Sequence, residues 1–298
     1  MTGRMKTRKT TAGKPSVAIV GAGRLARFLA VALRNAGFKI TEIVVRDATR
    51  SRRRGRSLAA SVRARAVTFD SARLDATLVW FCVPDGEIRG AAWTLADRAA
   101  GGKKSKLRFA FHSSGALPSS ELDALRAAGV GVASVHPLMT FVAGSQPSLK
   151  GVPFALEGDG TAMRVARQIV RELGGVSFSL RPARKAAYHA WATLASPLLL
   201  AFLVTLEEAA SAAGLTRQHA RGMSVPIIIQ TLKNYSRLGA ERSFSGPLVR
   251  GDADTVAKHL ASLTKHPEAR EVYVALARAA LRSLPVKNQI ALRRLLED

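Results

Sequence analysis

Through the first 180 or so residues, short apolar runs alternate with stretches of helical periodicity. Val17–Val20, Ile40–Val45, Ala66–Phe69, Thr77–Val83, Leu107–Phe111, Val130–Val135, Val152–Leu156 and Val176–Leu180 read as strands. They are short, apolar and mostly β-branched or aromatic, the signature of strands buried on both faces of a parallel sheet. Between them, Leu25, Phe28, Leu29, Ala32 and Leu33 recur with a helical period. A second helix runs from Asp85, a plausible N-cap, to about Ala100. A third contains Leu122 and Leu125 and closes at Gly129, and a fourth spans Met163 to Leu173. Strands alternating with helices predict a mostly parallel, doubly wound α/β sheet. After Arg181-Pro182 no strand pattern follows. The remainder reads as alanine-rich helices punctuated by Gly214, Pro226, Gly239, Gly246-Pro247, Pro267 and Pro285. The expected organisation is a disordered basic tail at 1–15, an α/β domain at 16–182 and an all-helical domain at 183–298.

The first strand runs directly into Gly21-Ala22-Gly23-Arg24-Leu25-Ala26 and then into a helix. This is the G-x-G-x-x-A form of the dinucleotide fingerprint in its strand–turn–helix context. Gly21 permits the tight turn, Gly23 lets a pyrophosphate approach the backbone, and Ala26 lets helix and strand pack closely. The N–H groups that open the helix then face the phosphates. The second strand ends in Arg46-Asp47, with Arg50, Arg52 and Arg53 close behind. Arginine at this place suits the 2′-phosphate of NADP, whereas an acidic residue suits the 2′-hydroxyl of NAD. The arginines favour NADP, and Asp47 keeps NAD open.

Composition adds one unusual feature. The chain of 298 residues is 47% apolar and 22% charged, as globular proteins are, but carries a formal charge of +25. Part of that charge lies in residues 1–15, which lack apolar periodicity and the apolar core of a signal peptide. Another part is Arg46, Arg50, Arg52, Arg53, Arg54 and Arg56. With only 6% aromatic residues and no nucleic-acid motif among the arginines, a nucleic-acid partner is disfavoured against cofactor binding or a solvated basic surface. The lone Cys82 excludes an intrachain disulfide, no Cys/His set has metal-ligand spacing, and a reducing cytoplasm is the expected compartment. Trp191–Leu206 is apolar yet short for a membrane span, and is expected to be a helix buried in a domain core or a dimer interface.

Ligands of open α/β sheets bind outside the carboxyl ends of the strands. Four ends here carry glycine or polar chemistry: Gly21–Gly23, Val83-Pro84-Asp85, His112-Ser113-Ser114-Gly115 and His136-Pro137. Candidate cofactor contacts are Gly21, Ala22, Gly23, Arg24, Leu25, Arg46, Val83, Pro84 and Ser113. Candidate catalytic groups are His189, Ser114, His136 and Lys185. Lys185, His189 and Thr193 share a helix face at i, i+4 and i+8. Each has a plainer alternative: a surface Lys–His pair, histidines bonded to loop backbone, a serine turn that caps the next helix. Arg250 is a candidate anion ligand, Asp252 a helix cap, and His259 structural.

Taken together and in order, Gly21-Ala-Gly-Arg-Leu-Ala26, Cys82-Val-Pro-Asp85, His112-Ser-Ser-Gly-Ala-Leu117, His136-Pro-Leu-Met-Thr-Phe141, Tyr188-His189-Ala190 and Gly246-Pro-Leu-Val-Arg-Gly-Asp252 resemble a known family. They are similar to bacterial proteins that join a Rossmann-like domain to the domain of unknown function 2520. That family is similar to the 6-phosphogluconate and 3-hydroxyisobutyrate dehydrogenases and, more distantly, to pyrroline-5-carboxylate reductase. The resemblance covers about residues 16–280. It implies an α/β Rossmann domain that binds a nicotinamide cofactor, an all-α C-terminal domain and a homodimer formed through it. In the dehydrogenases a Lys and an Asn of the helix after the sheet serve the substrate; where relatives carry the Asn, eight positions past His189, this chain has Pro197. Two functions follow as expectations. One is an NADP-dependent oxidoreductase acting on a small carbonyl, imine or hydroxy acid in a cleft between the domains. The other is a nicotinamide-binding regulator without turnover.

Overall fold

All the expected strands form and join one eight-stranded sheet. The computed structural model describes residues 13–100, 106–145 and 147–297. The chain order is β1 (Val17–Val20), α1 (Arg24–Asn35), β2 (Ile40–Val45), α2 (Thr49–Val62), β3 (Arg65–Thr68), β4 (Leu78–Phe81), α3 (Asp85–Ala100), β5 (Phe109–His112), α4 (Asp123–Ala127), β6 (Gly131–Pro137), β7 (Pro153–Gly158), α5 (Gly160–Glu172) and β8 (Val176–Ser179). Strands lie in the order β3-β2-β1-β4-β5-β6-β7-β8, parallel throughout except where β7 runs against β6. The order reverses between β1 and β4, so the sheet is doubly wound and its switch point lies beside the glycine turn.

Helices cover both faces, which is why the strands are apolar on both sides. On one face Leu29, Leu33, Leu58, Val62, Ala166 and Ile169 pack on Ile19, Trp80, Phe111 and Leu156. On the other, Ile88, Leu95 and Leu125 pack on Val20, Val79, Phe81 and Val132.

The chain divides into two compact units, one ending at Ala192 and the other beginning at Thr193. The first runs past the boundary near 182 read from the pattern. Most of α6 (Lys185–Ala195), including Lys185, Tyr188 and His189, therefore goes with the sheet. The second unit continues with α7 (Pro197–Ser211), α8 (Arg217–Leu238), α9 (Ala240–Ser243), α10 (Pro247–Arg250), α11 (Ala253–Ser262), α12 (Pro267–Ser283) and α13 (Gln289–Glu297). Its small core is Val256, Leu260, Ala277, Leu281, Val286, Leu292 and Leu296.

Several expectations are corrected. Residues 1–12 lie outside the described residues, but Lys14, counted with the tail, is placed: its Nζ pairs with Glu172 and donates to Ala36 O at 2.6 Å. The expected loop at 101–105 also lies outside the described residues. Trp191–Leu206 is not one buried helix. Ser196 separates α6 from α7, and Pro197 takes the first position of α7, where its missing N–H costs no helical bond. Leu194 and Leu200 are 63% and 62% exposed. As a helical stretch, Pro182–Ser211 has the length and apolar composition of a membrane span. Pro226 does not end a helix: α8 runs through it, and the residue four back is Gly222, whose backbone yields readily to the proline ring. Asp85 is not a cap; it is the first residue of α3.

Candidate functional site

At the end of β1, Gly21 turns with φ of 109°, and a Cβ there would meet the carbonyl oxygen of Cys82 at 2.5 Å. Conformation and the neighbouring strand both demand glycine. Gly23 is different: its φ is −75° and no atom lies within 4 Å of where a Cβ would sit. The space beside it is open, and α1 begins there with no side-chain cap and no acidic residue in its first turn. The amide groups that start α1 are thus left for an anion. Ala26 is fully buried, as close helix–strand packing requires.

These residues open onto a cleft of about 590 Å³ lined by Gly21, Ala22, Gly23, Val83 and Pro84, with Arg46, Ser51 and Arg54 among its other lining residues. Asp47 is not among the lining residues; it pairs with Arg52. Arg46 Nη1 donates to Glu87 Oε1 at 3.0 Å across the cleft wall. Arg50, Arg52 and Arg53, expected nearby, do not line it, whereas Ser51 and Arg54, three apart on one face of α2, do. That helical spacing is the signal the sequence offered for them. The side chains of two expected cofactor contacts turn away, leaving their backbone amides at the start of α1: Leu25 packs against the core, and Arg24 lines a second groove with Phe28 and Phe141. Cys82 also lines the cleft, and burial pushes its thiol up to about 12, so it stays protonated. Glycine turn, open helix start and basic end fit a dinucleotide phosphorylated on its ribose.

The remaining candidates meet around the turn that follows β5. His112 Nδ1 accepts from Ser114 N at 3.1 Å, and its Nε2 donates to Pro118 O at 3.0 Å. Burial, reinforced by the charge of Lys185, pushes this imidazole down to about 4. His112 is a neutral structural ring, the plainer of its two readings. Ser114 Oγ donates to Asp85 Oδ2 at 2.8 Å and accepts from Ala116 N and Leu117 N at 3.2 and 2.9 Å. With these bonds the hydroxyl organises the turn. Ser113 Oγ accepts from Trp80 Nε1 at 2.9 Å.

Lys185 is buried, and its Nζ donates to Ser114 O at 2.9 Å and to Ser134 Oγ at 2.5 Å. Burial lowers it to about 8, with the carboxylates of Glu157 and Asp85 opposing the shift. Gly115 faces two histidines: a Cβ there would meet His189 Cδ2 at 2.5 Å and His136 Nε2 at 2.9 Å. The rings of His136 and His189 lie 6.0 Å apart at 81°. Tyr188, quoted only as part of a motif in the sequence, is buried and its Oη lies 2.8 Å from His136 Nδ1. Spacing at 185, 188 and 189 on one helix face was the available signal. In the helical unit, Asp252 caps α11 by accepting from Thr255 N at 3.0 Å, Arg250 ends α10 on the surface, and His259 Nδ1 lies 3.0 Å from Tyr273 Oη.

Comparison with known proteins agrees with this architecture. Two family models match, the Rossmann-like domain over residues 1–137 and the domain of unknown function 2520 over 152–280. No curated protein matches the chain. Among solved structures, a candidate NADP oxidoreductase from Bacteroides fragilis is 21% identical, with a TM-score of 0.71 over 89% of this chain and 97% of that one. A protein from Thermotoga maritima is 23% identical, with a TM-score of 0.67 over 94% and 98%. An imine reductase from Streptomyces aurantiacus is 15% identical, with a TM-score of 0.63 over 95% and 100%. At these identities the likeness is one of fold. Sheet order, glycine turn and matched segments lead to one assignment: the chain belongs to the proteins that join a Rossmann-like domain to the domain of unknown function 2520.

Proposed function

We propose that the protein is a cytoplasmic NADP-dependent oxidoreductase acting on a small carbonyl, imine or hydroxy-acid substrate. The observation that carries this reading is the cleft in which Gly21–Gly23 and Arg46, Ser51 and Arg54 line one space while Asp47 is turned to Arg52. When bound, the nicotinamide supplies or accepts the hydride. The amides opening α1 hold the pyrophosphate, and Arg46, Ser51 and Arg54 hold the 2′-phosphate. Of the candidate catalytic groups, His136 and His189 present ring edges to the Gly115 turn, and Ser114 and Lys185 hold that turn in shape. His189, half-buried, is the group assigned to exchange a proton with the substrate. The substrates named for fold relatives, among them imine reductases and pyrroline-5-carboxylate reductases, are in keeping with this class. Pro197 gives little support to a regulator without turnover, because its place at the start of α7 accounts for it. Calorimetric titration tests the reading: NADPH should bind more tightly than NADH, and equal affinity, or no binding of either, overturns it.

The same proposal includes a homodimer through the helical unit. Its support is the exposed apolar surface of α7 and α8, including Leu198, Leu200, Val204, Met223, Ile227 and Leu232. Light scattering should give twice the chain mass, and Leu199→Glu with Phe202→Glu should abolish it. A wild-type monomer overturns the interface.

A further inference from the structure

Tyr188 is buried, and its hydroxyl has one hydrogen-bond partner among the described residues, His136 Nδ1 at 2.8 Å. The two rings meet edge to face at 5.5 Å, and Phe178 and Trp191 flank the phenol at 6.0 and 5.9 Å. Were His136 to donate from Nδ1, the buried phenol hydrogen would have no acceptor, which buried polar groups avoid. The phenol therefore donates, Nδ1 accepts, and the imidazole hydrogen sits on Nε2. Burial supports the same states: it pushes the Tyr188 phenol up to about 12 and, with the Lys185 and His189 charges adding to it, the His136 ring down to about 4.

His136 Nε2 has no hydrogen-bond partner among the described residues, and it lies 2.9 Å from the place a Gly115 side chain would fill. Its N–H thus points a donor at the space glycine keeps clear. The charges acting on His136 are those of Lys185 and His189, both of which oppose a further positive charge. The carboxylates that act on Lys185 are engaged elsewhere, Asp85 by Ser114 and Glu157 by Ser119 N and Oγ at 2.5 and 2.9 Å.

We propose that Tyr188 is a positioning residue that holds His136 as the neutral Nε2–H tautomer, so that the Gly115 turn seats a carbonyl or carboxylate oxygen and the substrate is a neutral or anionic oxo compound rather than an iminium cation. This rests on the oxidoreductase reading above and narrows its substrate class. In the reduction, carbon gains the hydride of NADPH, the C=O electron pair moves to oxygen, His189 gives that oxygen one proton and recovers it from water, and NADP⁺ remains.

Long-range proton–nitrogen spectra of isotope-labelled protein, with the His136 signals assigned by their loss in His136→Asn, read the tautomer without cofactor or turnover. At neutral pH the wild-type ring should be uncharged, protonated on Nε2 and bare on Nδ1. A ring protonated on Nδ1, or charged, overturns the proposal whether or not Tyr188→Phe folds. In Tyr188→Phe the two tautomers should mix, and an unchanged spectrum overturns the role of Tyr188. NADPH oxidation by the wild-type protein is then compared for 2-oxo acids and for 1-pyrroline. Oxo acids should be preferred by at least about tenfold in kcat/KM. Preference for 1-pyrroline overturns the substrate class and leaves the oxidoreductase reading standing. Failure to bind NADPH overturns that reading, and the spectra alone then decide His136.

Discussion

In the sheet unit Trp80, Phe111 and Phe154 are at most 1% exposed, whereas in the helical unit Met223 and Ile227 stand 66% and 68% exposed. The contrast follows from how each unit is built. Most strands of the sheet are followed closely by a helix that lies on one face, so apolar residues on both sides find cover within the chain. In the helical unit α11, α12 and α13 close a small core, but α7 carries apolar side chains at Leu198, Leu199, Leu200 and Phe202, which point in several directions at once. No single neighbour in the same chain can cover such a helix. The sheet unit buries its own apolar residues and holds the candidate site; the helical unit leaves apolar side chains exposed, the surface on which the proposed dimer rests.

The largest effect should separate the two kinds of apolar residue. Phe111→Ala empties a sealed core and should cost about 3–5 kcal/mol in urea unfolding. Ile227→Ala should cost less than about 1 kcal/mol in dilute protein, and more as concentration rises and copies associate. A large cost independent of concentration would break the contrast.

Acid should strike next, through the sheet unit. His112 and His136 are held neutral in the fold and titrate near 4 rather than at the ordinary 6.5. Between those values the unfolded chain binds more protons than the folded one. Their contribution is therefore complete above the ordinary value and is lost as pH falls, by roughly 1.4 kcal/mol per pH unit for each ring. Urea midpoints measured from neutral pH downward check this, and a flat profile through pH 5 would contradict both assignments.

Arg46→Ala and Arg54→Ala should each weaken NADPH by about ten- to a hundredfold while changing NADH little, because a charged hydrogen bond is worth roughly 1.5–3 kcal/mol. Parallel loss of both cofactors would place these arginines elsewhere than at the 2′-phosphate. The smallest effect belongs to Lys14→Ala. Its pair with Glu172 and its bond to Ala36 O are partly exposed, so unfolding should shift by about 1 kcal/mol or less.

Local pattern was sufficient for the strands, for the glycine turn and for the point where the sheet gives way to helices. Each depends on periodicity or on a residue type that the backbone itself demands, as Gly21 does with its φ of 109°. Which side chains meet could not be read that way. Ser114 finds Asp85 only because α3 brings it there, and Lys185 finds Ser134 only because β6 does. Asp47 and Arg46 are neighbours in sequence, yet one turns to Arg52 and the other lines the cleft. Tyr188 gained a role only when residues 52 positions apart came within 2.8 Å. Strand and helix identity are local properties of the chain, whereas hydrogen-bond partners and burial depend on segments far apart in sequence, and those only the tertiary structure brings together.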